Sequence, residues 1–242
     1  NNDIDLIEEN ISYQEFQELL DNYSFYQDDL VGDEVGIPLY FLGKKTNNSK
    51  IKVVQVGEGA DELFYGYDHW NRYLKLNKFF KPFFKSTKKY SSFKNHRLNM
   101  LSNILFNRTS FAGGALGFNL KELDSLIEDG LPNHSDLIFY ADNKWKDYFS
   151  NKNSKISKWM TLIDLKIRLP ELLLMRMDKL VMQSAVEARV PFLDHKLVEY
   201  VLSLPEELLI DLSNTKSLLK KVALKYLPDQ IINRKKQGFR AP

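Results

Sequence analysis

The sequence predicts an α/β fold in which a parallel sheet layer is followed by a largely helical lobe. Residues 51–56 form a short β-branched run that ends at two glycines, a pattern typical of a strand followed by a turn. Asp61 then opens a helical pattern, and helical spacing continues from about Tyr67 almost to the last residue. One clear strand among many helices indicates the end of a sheet layer with helices after it.

The segment before the strand carries its own start and stop signals. Ser12 followed by Glu15 is a capping box and predicts that a helix begins there. The acidic, glycine-containing segment 28–36 predicts a loop, and Pro38 lies near the start of a short helix. Residues 46–50 are polar and predict a turn before the strand.

Five further helices are expected after the strand and its helix, near residues 98–107, 121–128, 135–149, 157–167 and 168–182. Pro170 lies near the predicted start of the last of these. Val190 precedes a proline and therefore avoids the helical region, which predicts an extended connector over 190–194. Asp194 and Thr215 are expected to cap the two helices that follow.

The composition is that of a soluble globular protein, with 43% hydrophobic and 27% charged residues in 242. No run approaches the ~18 apolar residues of a membrane span. The absence of cysteine excludes disulfides, thiolate metal sites and cysteine nucleophiles within this chain, and it fits a reducing compartment. The net charge of +2 predicts no particular partner.

The two ends of the chain suggest a fragment of a longer protein. The sequence begins with the polar, acidic residues 1–5 rather than with methionine, and these residues are not a signal peptide. It stops at residues 238–242 without a polar tail.

The first candidate site is the strand–turn–helix unit over residues 51–70. Its two glycines let the backbone approach a ligand, and α/β folds bind ligands beyond the carboxyl ends of their strands. The turn also carries Glu58, Asp61 and Glu62, which repel one another unless Mg²⁺ lies between them and a nucleotide. The alternative is that Asp61 and Glu62 merely complement the helix dipole.

Charged residues later in the chain give two more candidates. Arg176 and Asp178 lie beside an apolar stretch, and Glu187 and Arg189 would face the same side of an extended segment. Such pairs are also common as structural contacts. Lys216 is expected in the first turn of a helix, where a cation opposes the dipole, so it either meets a ligand or is a solvated surface lysine.

A basic, aromatic run over residues 75–97 holds eight basic residues and no acidic one. Basic residues interleaved with aromatics bind nucleic acid or anionic membranes, but they also form amphipathic helices with the aromatics inside. The four histidines are scattered and show no metal-ligand spacing.

Taken together, these segments resemble the synthetase domain of the glutamine-hydrolysing asparagine synthetases. Residues 56–67 are similar to the family's S-G-[DE]-G-[AS]-D-E-x-F-x-G-Y signature, with Val56 in place of the usual serine. Residues 172–194 are similar to its run of leucines followed by R-x-D and E-x-R-V-P-F-L-D. Lys216 matches a K-x-x-L-[RK] segment, and residues 234–239 match R-K-K-x-G-F.

The resemblance implies a fold and a reaction. The fold is a pyrophosphatase-type, adenine-nucleotide alpha-hydrolase-like (PP-loop) ATP-binding sheet with a helical lobe. The reaction uses Mg·ATP to convert the side-chain carboxylate of aspartate to β-aspartyl-AMP, which ammonia then attacks to give asparagine. The ammonia comes from glutamine through an N-terminal glutaminase domain. The resemblance also implies a cytoplasmic enzyme without nucleic-acid or membrane partners, and it allows a homodimer in the full-length protein.

The resemblance also implies roles for individual residues. It makes Asp61 the Mg²⁺ ligand and gives Lys216 to the departing pyrophosphate. Glu58 is the candidate base that takes a proton from the attacking ammonia. The backbone of Val56 and Gly57 contacts the nucleotide. The signature positions expected to line or support the site are Asp178, Glu187 and Arg189.

Two family features are missing from the sequence. The first ATP loop, S-G-G-x-D-S, is absent, and so is the cysteine nucleophile of the glutaminase. We therefore expect a partial synthetase domain, divided into a nucleotide-binding part over 1–70, a variable basic helical part over 71–160 and a helical part over 161–242. The isolated chain is expected to be inactive. The alternatives are a relative that acts on a glycan or peptide carboxylate, and a non-catalytic binding protein with a basic surface at 75–97.

Overall fold

A computed structural model of the chain describes residues 5–27, 33–80, 96–105, 144, 147, 148, 150 and 155–234. The helix predicted over 121–128, most of the one predicted over 135–149, and most of the segments 75–97 and 234–239 lie outside these residues.

The described residues form a mixed α/β structure that is mostly helical. The helices before residue 150 are α1 (Tyr13–Gln27), α2 (Gly36–Asn48), α3 (Ala60–Leu63), α4 (Asp68–Phe80) and α5 (His96–Leu105). The later helices are α6 (Ile156–Ile163), a π-helix (Asp164–Leu174), α7 (Met175–Met182), a 3₁₀ turn (Pro191–Leu193), α8 (His195–Ser203), α9 (Glu206–Leu209), α10 (Ser217–Ala223) and α11 (Asp229–Ile232). None of the described helices is long and apolar enough to cross a membrane.

The chain divides into two compact units. The first, unit 1, contains residues 1–59, 169–197 and 227–242. The second, unit 2, contains residues 60–168 and 198–226.

Unit 1 contains a two-stranded parallel sheet. Strand β1 (Val53–Gln55) pairs with β2 (Glu187–Arg189) so that Val54 lies opposite Ala188. The predicted strand over 51–56 is therefore confirmed, although it is shorter than expected. No strand was predicted at β2, because a three-residue segment with charged residues at both ends carries no apolar run.

The core of unit 1 lies between β1, α2 and α7. Leu39, Leu180, Val181 and Val186 are buried there, and Val54 packs against them from the sheet. The apolar residues of α2 and α7 recur at helical spacing, so each helix buries one face. This packing fixes the sheet, and with it the turn that follows β1.

Unit 2 is built around large aromatic side chains. Trp70 of α4 and Trp159 of α6 are buried, and Tyr148 and Ile163 pack around Trp159. Leu63 of α3 is also buried, which anchors this four-residue helix.

The predicted helix starts at Ser12 and Asp194 are confirmed. The Ser12 hydroxyl accepts a hydrogen bond from the Glu15 N–H at 3.3 Å, and the Glu15 carboxylate accepts one from the Ser12 N–H at 2.9 Å. The Asp194 carboxylate accepts hydrogen bonds from the N–H groups of Lys196 and Leu197 at the start of α8. Each side chain satisfies donors that the first helical turn leaves unpaired.

Several local predictions were wrong, among them the extended connector over 190–194, of which Pro191–Leu193 form a 3₁₀ turn. The turn expected over 46–50 begins later, because α2 continues to Asn48 and Lys50 has a positive φ of 61°. The helix opened by Asp61 ends at Leu63, since Tyr65 adopts a φ of 55° and the chain restarts at α4. The start of α10 is preceded by Lys216 rather than by a Thr215 cap.

Pro170 does not start a new helix. It lies inside the π-helix Asp164–Leu174, which joins α6 to α7 without a break. A proline ring collides with the carbonyl four residues earlier in an α-helix, and the wider π turn removes that i→i−4 pattern. The two helices predicted over 157–167 and 168–182 are therefore one continuous helical segment.

Candidate active site

The glycine turn after β1 is positioned by the sheet. The Val56 N–H donates a hydrogen bond to the carbonyl of Arg189 at 2.9 Å, which extends the β1–β2 pairing by one residue. A β-carbon on Gly57 would meet no atom of the described chain within 4 Å, and the φ of Gly57 is not positive. The described residues therefore give no internal reason for a glycine at position 57.

Gly59, by contrast, is required by the protein itself. Its φ is +88°, in the region that favours glycine, and a β-carbon there would lie 2.7 Å from Cγ of Leu193. Leu193 belongs to the 3₁₀ turn Pro191–Leu193. The glycine turn and the V-P-F-L-D segment, two of the motifs quoted above, are thus in direct contact within unit 1.

Glu58 lies beside a buried arginine. The closest nitrogen of the Arg176 guanidinium is 3.9 Å from a carboxylate oxygen of Glu58. The side chain of Arg176 is 5% exposed, whereas that of Glu58 is 28% exposed. Glu58 is therefore open to a ligand on one side and faces a cation on the other.

Asp33 is the second carboxylate on Arg176. The two side chains form a hydrogen-bonded ion pair. The other Asp33 oxygen accepts a hydrogen bond from the Val35 N–H at 3.0 Å, and the Asp33 carbonyl accepts one from the Tyr23 hydroxyl at 2.9 Å. Burial raises the pKa of Tyr23 above its ordinary value, so this hydroxyl stays a donor. Asp33 is thus held from three sides.

Asp61 and Lys216 form an ion pair within unit 2. The ammonium of Lys216 is 3.1 Å from a carboxylate oxygen of Asp61, and each side chain is 26% exposed. Gly66 lies beneath the pair: a β-carbon there would lie 2.7 Å from Cγ of Asp61 and 2.5 Å from Cε of Lys216. Glycine at this position therefore makes room for both charged side chains.

The backbone at Lys216 is strained. Lys216 adopts a φ of 54° and a ψ of 34°, the left-handed conformation, immediately before α10. Its N–H donates to the carbonyl of Tyr65, and its own carbonyl accepts a hydrogen bond from Lys220 at 2.8 Å. Lys216 therefore lies one residue before the helix. The prediction that it lies in the first helical turn was wrong.

A buried charged cluster, hereafter the Glu62 cluster, lies next to Asp61 on α3. Glu62 is almost fully buried and accepts a hydrogen bond from the Tyr67 hydroxyl at 2.6 Å. Arg168 donates to Asp164 at 3.2 Å, lies 3.8 Å from Glu62, and stacks over the Tyr67 ring at 4.9 Å. Burial raises the pKa of Tyr67 well above its ordinary value, and the Glu62 charge adds to this effect.

The remaining predicted residues lie apart from these contacts. Asp178 is exposed on α7. Glu187 and Arg189 pair with each other at 2.8 Å on the exposed side of β2, as their spacing suggested. The Arg189 hydrogen bond lowers the pKa of Glu187 below its ordinary value. The contacts of Glu187 and Arg189 correspond to the structural alternative, and their place near a ligand stays a prediction.

The carboxylates suit one kind of metal site. Among the described residues, no three histidine, aspartate or glutamate side chains are grouped so as to hold a metal ion. Mg²⁺ needs fewer protein ligands when it binds with a nucleotide, because phosphates and waters complete its shell. A single partly exposed carboxylate such as Asp61 fits that requirement.

Sequence reasoning missed several functional candidates. Arg176 was noticed only beside Asp178, although Arg176 is the residue that contacts Glu58. Asp33 was only part of an acidic loop, and its contact with Arg176 spans 143 positions of sequence. Gly66 belongs to the signature over 56–67, but the sequence did not show that it lies beneath Asp61 and Lys216. Arg168 carried no separate signal, since its contact with Glu62 comes from tertiary packing.

Comparisons with known proteins agree with the motifs. A family model described as asparagine synthase matches residues 2–242. The chain is 30% identical over 247 residues to asparagine synthetase [glutamine-hydrolyzing] 1 of Bacillus subtilis, which covers 99% of this chain and 38% of that protein. It is 31% identical over 245 residues to a putative asparagine synthetase [glutamine-hydrolyzing] of Mycobacterium bovis, covering 96% of this chain and 36% of that protein. The chain thus spans less than two fifths of the length of these two relatives.

Proposed function

Because the chain belongs to the asparagine synthase family, we propose that it is part of a ligase that uses ATP to convert aspartate to asparagine. The observation that carries the proposal is that the described residues give no internal reason for glycine at position 57. Neither its φ nor its described neighbours require glycine, yet the next residue is a partly exposed carboxylate beside a buried cation. A ligand that lies close to the backbone at position 57 would require glycine there, because a side chain would block its approach.

In the proposed reaction, a carboxylate oxygen of aspartate attacks the α-phosphate of ATP, and pyrophosphate leaves. Ammonia then attacks the β-carbonyl of the resulting β-aspartyl-AMP, and AMP leaves with one oxygen of the original carboxylate. The nitrogen must lose a proton as the amide forms. Glu58 accepts that proton, and its partial exposure leaves it accessible.

Arg176 suits this role for Glu58. When Glu58 is ionised, the guanidinium balances its charge. When Glu58 is protonated, Arg176 keeps Asp33 as its partner, so no buried cation is left alone. The protonation state of Glu58 therefore changes at a moderate electrostatic cost.

We propose that Asp61 and Lys216 act on the phosphates. Asp61 would hold Mg²⁺, which neutralises phosphate charge when it is bound. Lys216 stabilises the pyrophosphate as it departs, since its ammonium is a donor with a full positive charge. Val56 and Gly57 contact the nucleotide through their backbone. We propose that Asp178, Glu187 and Arg189 support the site from α7 and β2.

The remaining features of the proposal concern the complete protein. The nitrogen comes from glutamine through a glutaminase domain, and a PP-loop sheet that includes β1 and β2 binds ATP. The segments 1–70, 71–160 and 161–242 are the nucleotide-binding, variable and site-completing parts. A homodimer and a cytoplasmic location stay predictions.

The experiment that tests the proposal is ATP–pyrophosphate exchange in the complete protein that contains this chain. Label is expected to enter ATP from pyrophosphate only when aspartate is present. Exchange that ignores aspartate but responds to a glycan or peptide carboxylate would favour a relative with another acceptor. Absence of exchange with all of these acids, together with salt-dependent binding to nucleic acid, would favour the non-catalytic alternative.

A further inference from the structure

The ion pair between Asp61 and Lys216 joins two side chains to which the proposed function gives ligands of opposite charge. Asp61 is the proposed ligand of a cation, and Lys216 is the proposed partner of an anion. In the structure, the two side chains bind each other at 3.1 Å. The ammonium of Lys216 therefore neutralises the carboxylate that would bind the cation, and the carboxylate of Asp61 neutralises the ammonium that would bind the anion.

We propose that this pair is an electrostatic lock on the metal position. The pair weakens the binding of free divalent cations to Asp61. It separates when a nucleotide brings a metal to Asp61 and a pyrophosphate group to Lys216 at the same time. The proposal rests on the proposed function, and it adds an order of binding: the metal enters with the nucleotide rather than before it.

The ion pair is weak enough for a ligand to separate Asp61 from Lys216. Both side chains are 26% exposed, so water screens the pair and limits its stability. Free Mg²⁺ gives up its water shell reluctantly, and one carboxylate already neutralised by lysine is a poor ligand for it. A metal–pyrophosphate unit offers a cation to Asp61 and an anion to Lys216 at the same time, so both charges keep a partner.

The local backbone is arranged around the pair. Gly66 leaves space that any β-carbon would take from Asp61 and Lys216. Lys216 is held in the left-handed region, which costs roughly 1–2 kcal/mol for a residue other than glycine. A surface ion pair formed by chance needs neither a glycine beneath it nor a strained lysine.

The test is the affinity of the complete protein that contains this chain for Mn²⁺ alone, measured from the electron paramagnetic resonance signal of the free ion. Mn²⁺ shares the preference of Mg²⁺ for carboxylate oxygen. Lys216→Met removes the lock, and we expect it to tighten Mn²⁺ binding about twofold to fivefold, the range expected for a partly exposed ion pair. Lys216→Arg keeps the charge and is expected to bind Mn²⁺ as the unmodified chain does.

Two controls separate the lock from general charge effects. Lys155→Met removes a positive charge from unit 2 that pairs with Glu206 instead of Asp61, and it is expected to leave Mn²⁺ binding unchanged. The double variant Asp61→Asn/Lys216→Met is expected to lose the gain. Unchanged affinity in Lys216→Met would overturn the lock, and so would an equal gain in Lys155→Met or a gain that persists without Asp61.

Different measurements test the lock and the proposed function: Mn²⁺ affinity tests the lock, and pyrophosphate exchange tests the function. Circular dichroism checks that Lys216→Met is folded, and Lys216→Gln replaces it in the titration if it is not. Aspartate-dependent pyrophosphate exchange with no change in Mn²⁺ affinity would remove the lock alone. A gain in Mn²⁺ affinity without exchange in the complete protein would leave the lock in place and remove the amidation reaction.

Discussion

Gly59 and Leu193 are in such close contact that a β-carbon on the glycine would lie 2.7 Å from Cγ of the leucine. The two residues are 134 positions apart in the sequence. Their contact joins the glycine turn to the V-P-F-L-D segment, so a side chain at position 59 would displace Leu193.

Gly59→Ala is expected to destabilise the chain by roughly 1–3 kcal/mol, because the new methyl group meets Leu193 and the φ of +88° disfavours any side chain. Chemical denaturation measures the free energy of unfolding. Gly57→Ala is the matched control, since its β-carbon would meet open space, and its effect on stability is expected to stay within about 1 kcal/mol. Equal losses at the two positions would contradict this account of the turn.

Glu58→Gln is expected to separate the two halves of the reaction in the complete protein. Amide formation from ammonia is expected to fall about 10²–10⁴-fold, because glutamine cannot accept the proton. Pyrophosphate exchange is expected to change little, since the adenylation step does not use this base. Parallel assays of exchange and asparagine formation check the prediction, and an equal loss in both would remove Glu58 as the base.

Arg176 and Asp33 are expected to depend on each other for stability. Arg176→Met is expected to cost about 3 kcal/mol, because it leaves Asp33 without its buried cation. The double variant Arg176→Met/Asp33→Asn is expected to cost less than the sum of the single changes. Denaturation of the four proteins measures the coupling, and strict additivity would show that the ion pair does not matter.

Lys216→Ala is expected to slow adenylation about 100-fold or more, because the departing pyrophosphate loses a charged donor. Initial rates of pyrophosphate exchange measure the effect. Lys155→Ala is the control, since Lys155 pairs with Glu206. If both lysine variants exchange at the rate of the unmodified enzyme, Lys216 has no role in this step.

The Glu62 cluster predicts a loss of stability at alkaline pH. The folded-state pKa of Tyr67 lies above the unfolded value of about 10, so the ionised phenol is disfavoured in the fold. Its contribution to stability is complete below pH 10 and is lost as the pH rises beyond it. Tyr67→Phe is expected to flatten the fall of stability above pH 10, and to cost about 1–3 kcal/mol at neutral pH because Glu62 loses its donor. An unchanged alkaline slope would contradict the assignment.

The native absorbance at 295 nm gives a second check on Tyr67. Between pH 8 and about 11, before unfolding, Tyr67→Phe is expected to titrate the same number of phenols as the unmodified chain, because the buried Tyr67 does not ionise. A difference of one phenol would show that Tyr67 is accessible.

Local chemistry made much of the fold predictable. The reciprocal Ser12–Glu15 bonds and the Asp194 cap follow from side chains that bond to nearby backbone. The β1 strand and its glycine turn also carry local signals. By contrast, β2 becomes a strand only because β1 pairs with it, and α3 ends early because Tyr65 adopts a positive φ of 55°.

The candidate site was predictable only in part. Glu58, Asp61 and Lys216 stand in motifs, so their residue types and order could be read from the sequence. Their partners could not, because the contact of Arg176 with Asp33 is set by how α7 packs in unit 1. The space above Gly66 likewise appears only when Asp61 and Lys216 are placed. Motifs identify which residues are present, and packing determines what they touch.

The most direct test of the proposed reaction is the fate of the aspartate oxygen in the complete protein. Aspartate labelled with ¹⁸O in its side-chain carboxylate is incubated with ATP and ammonia, and the products are analysed by mass spectrometry. The account predicts that one ¹⁸O appears in AMP for each asparagine formed, because the carboxylate oxygen attacks the α-phosphate. Label in inorganic phosphate with formation of ADP, or unlabelled AMP, would contradict it.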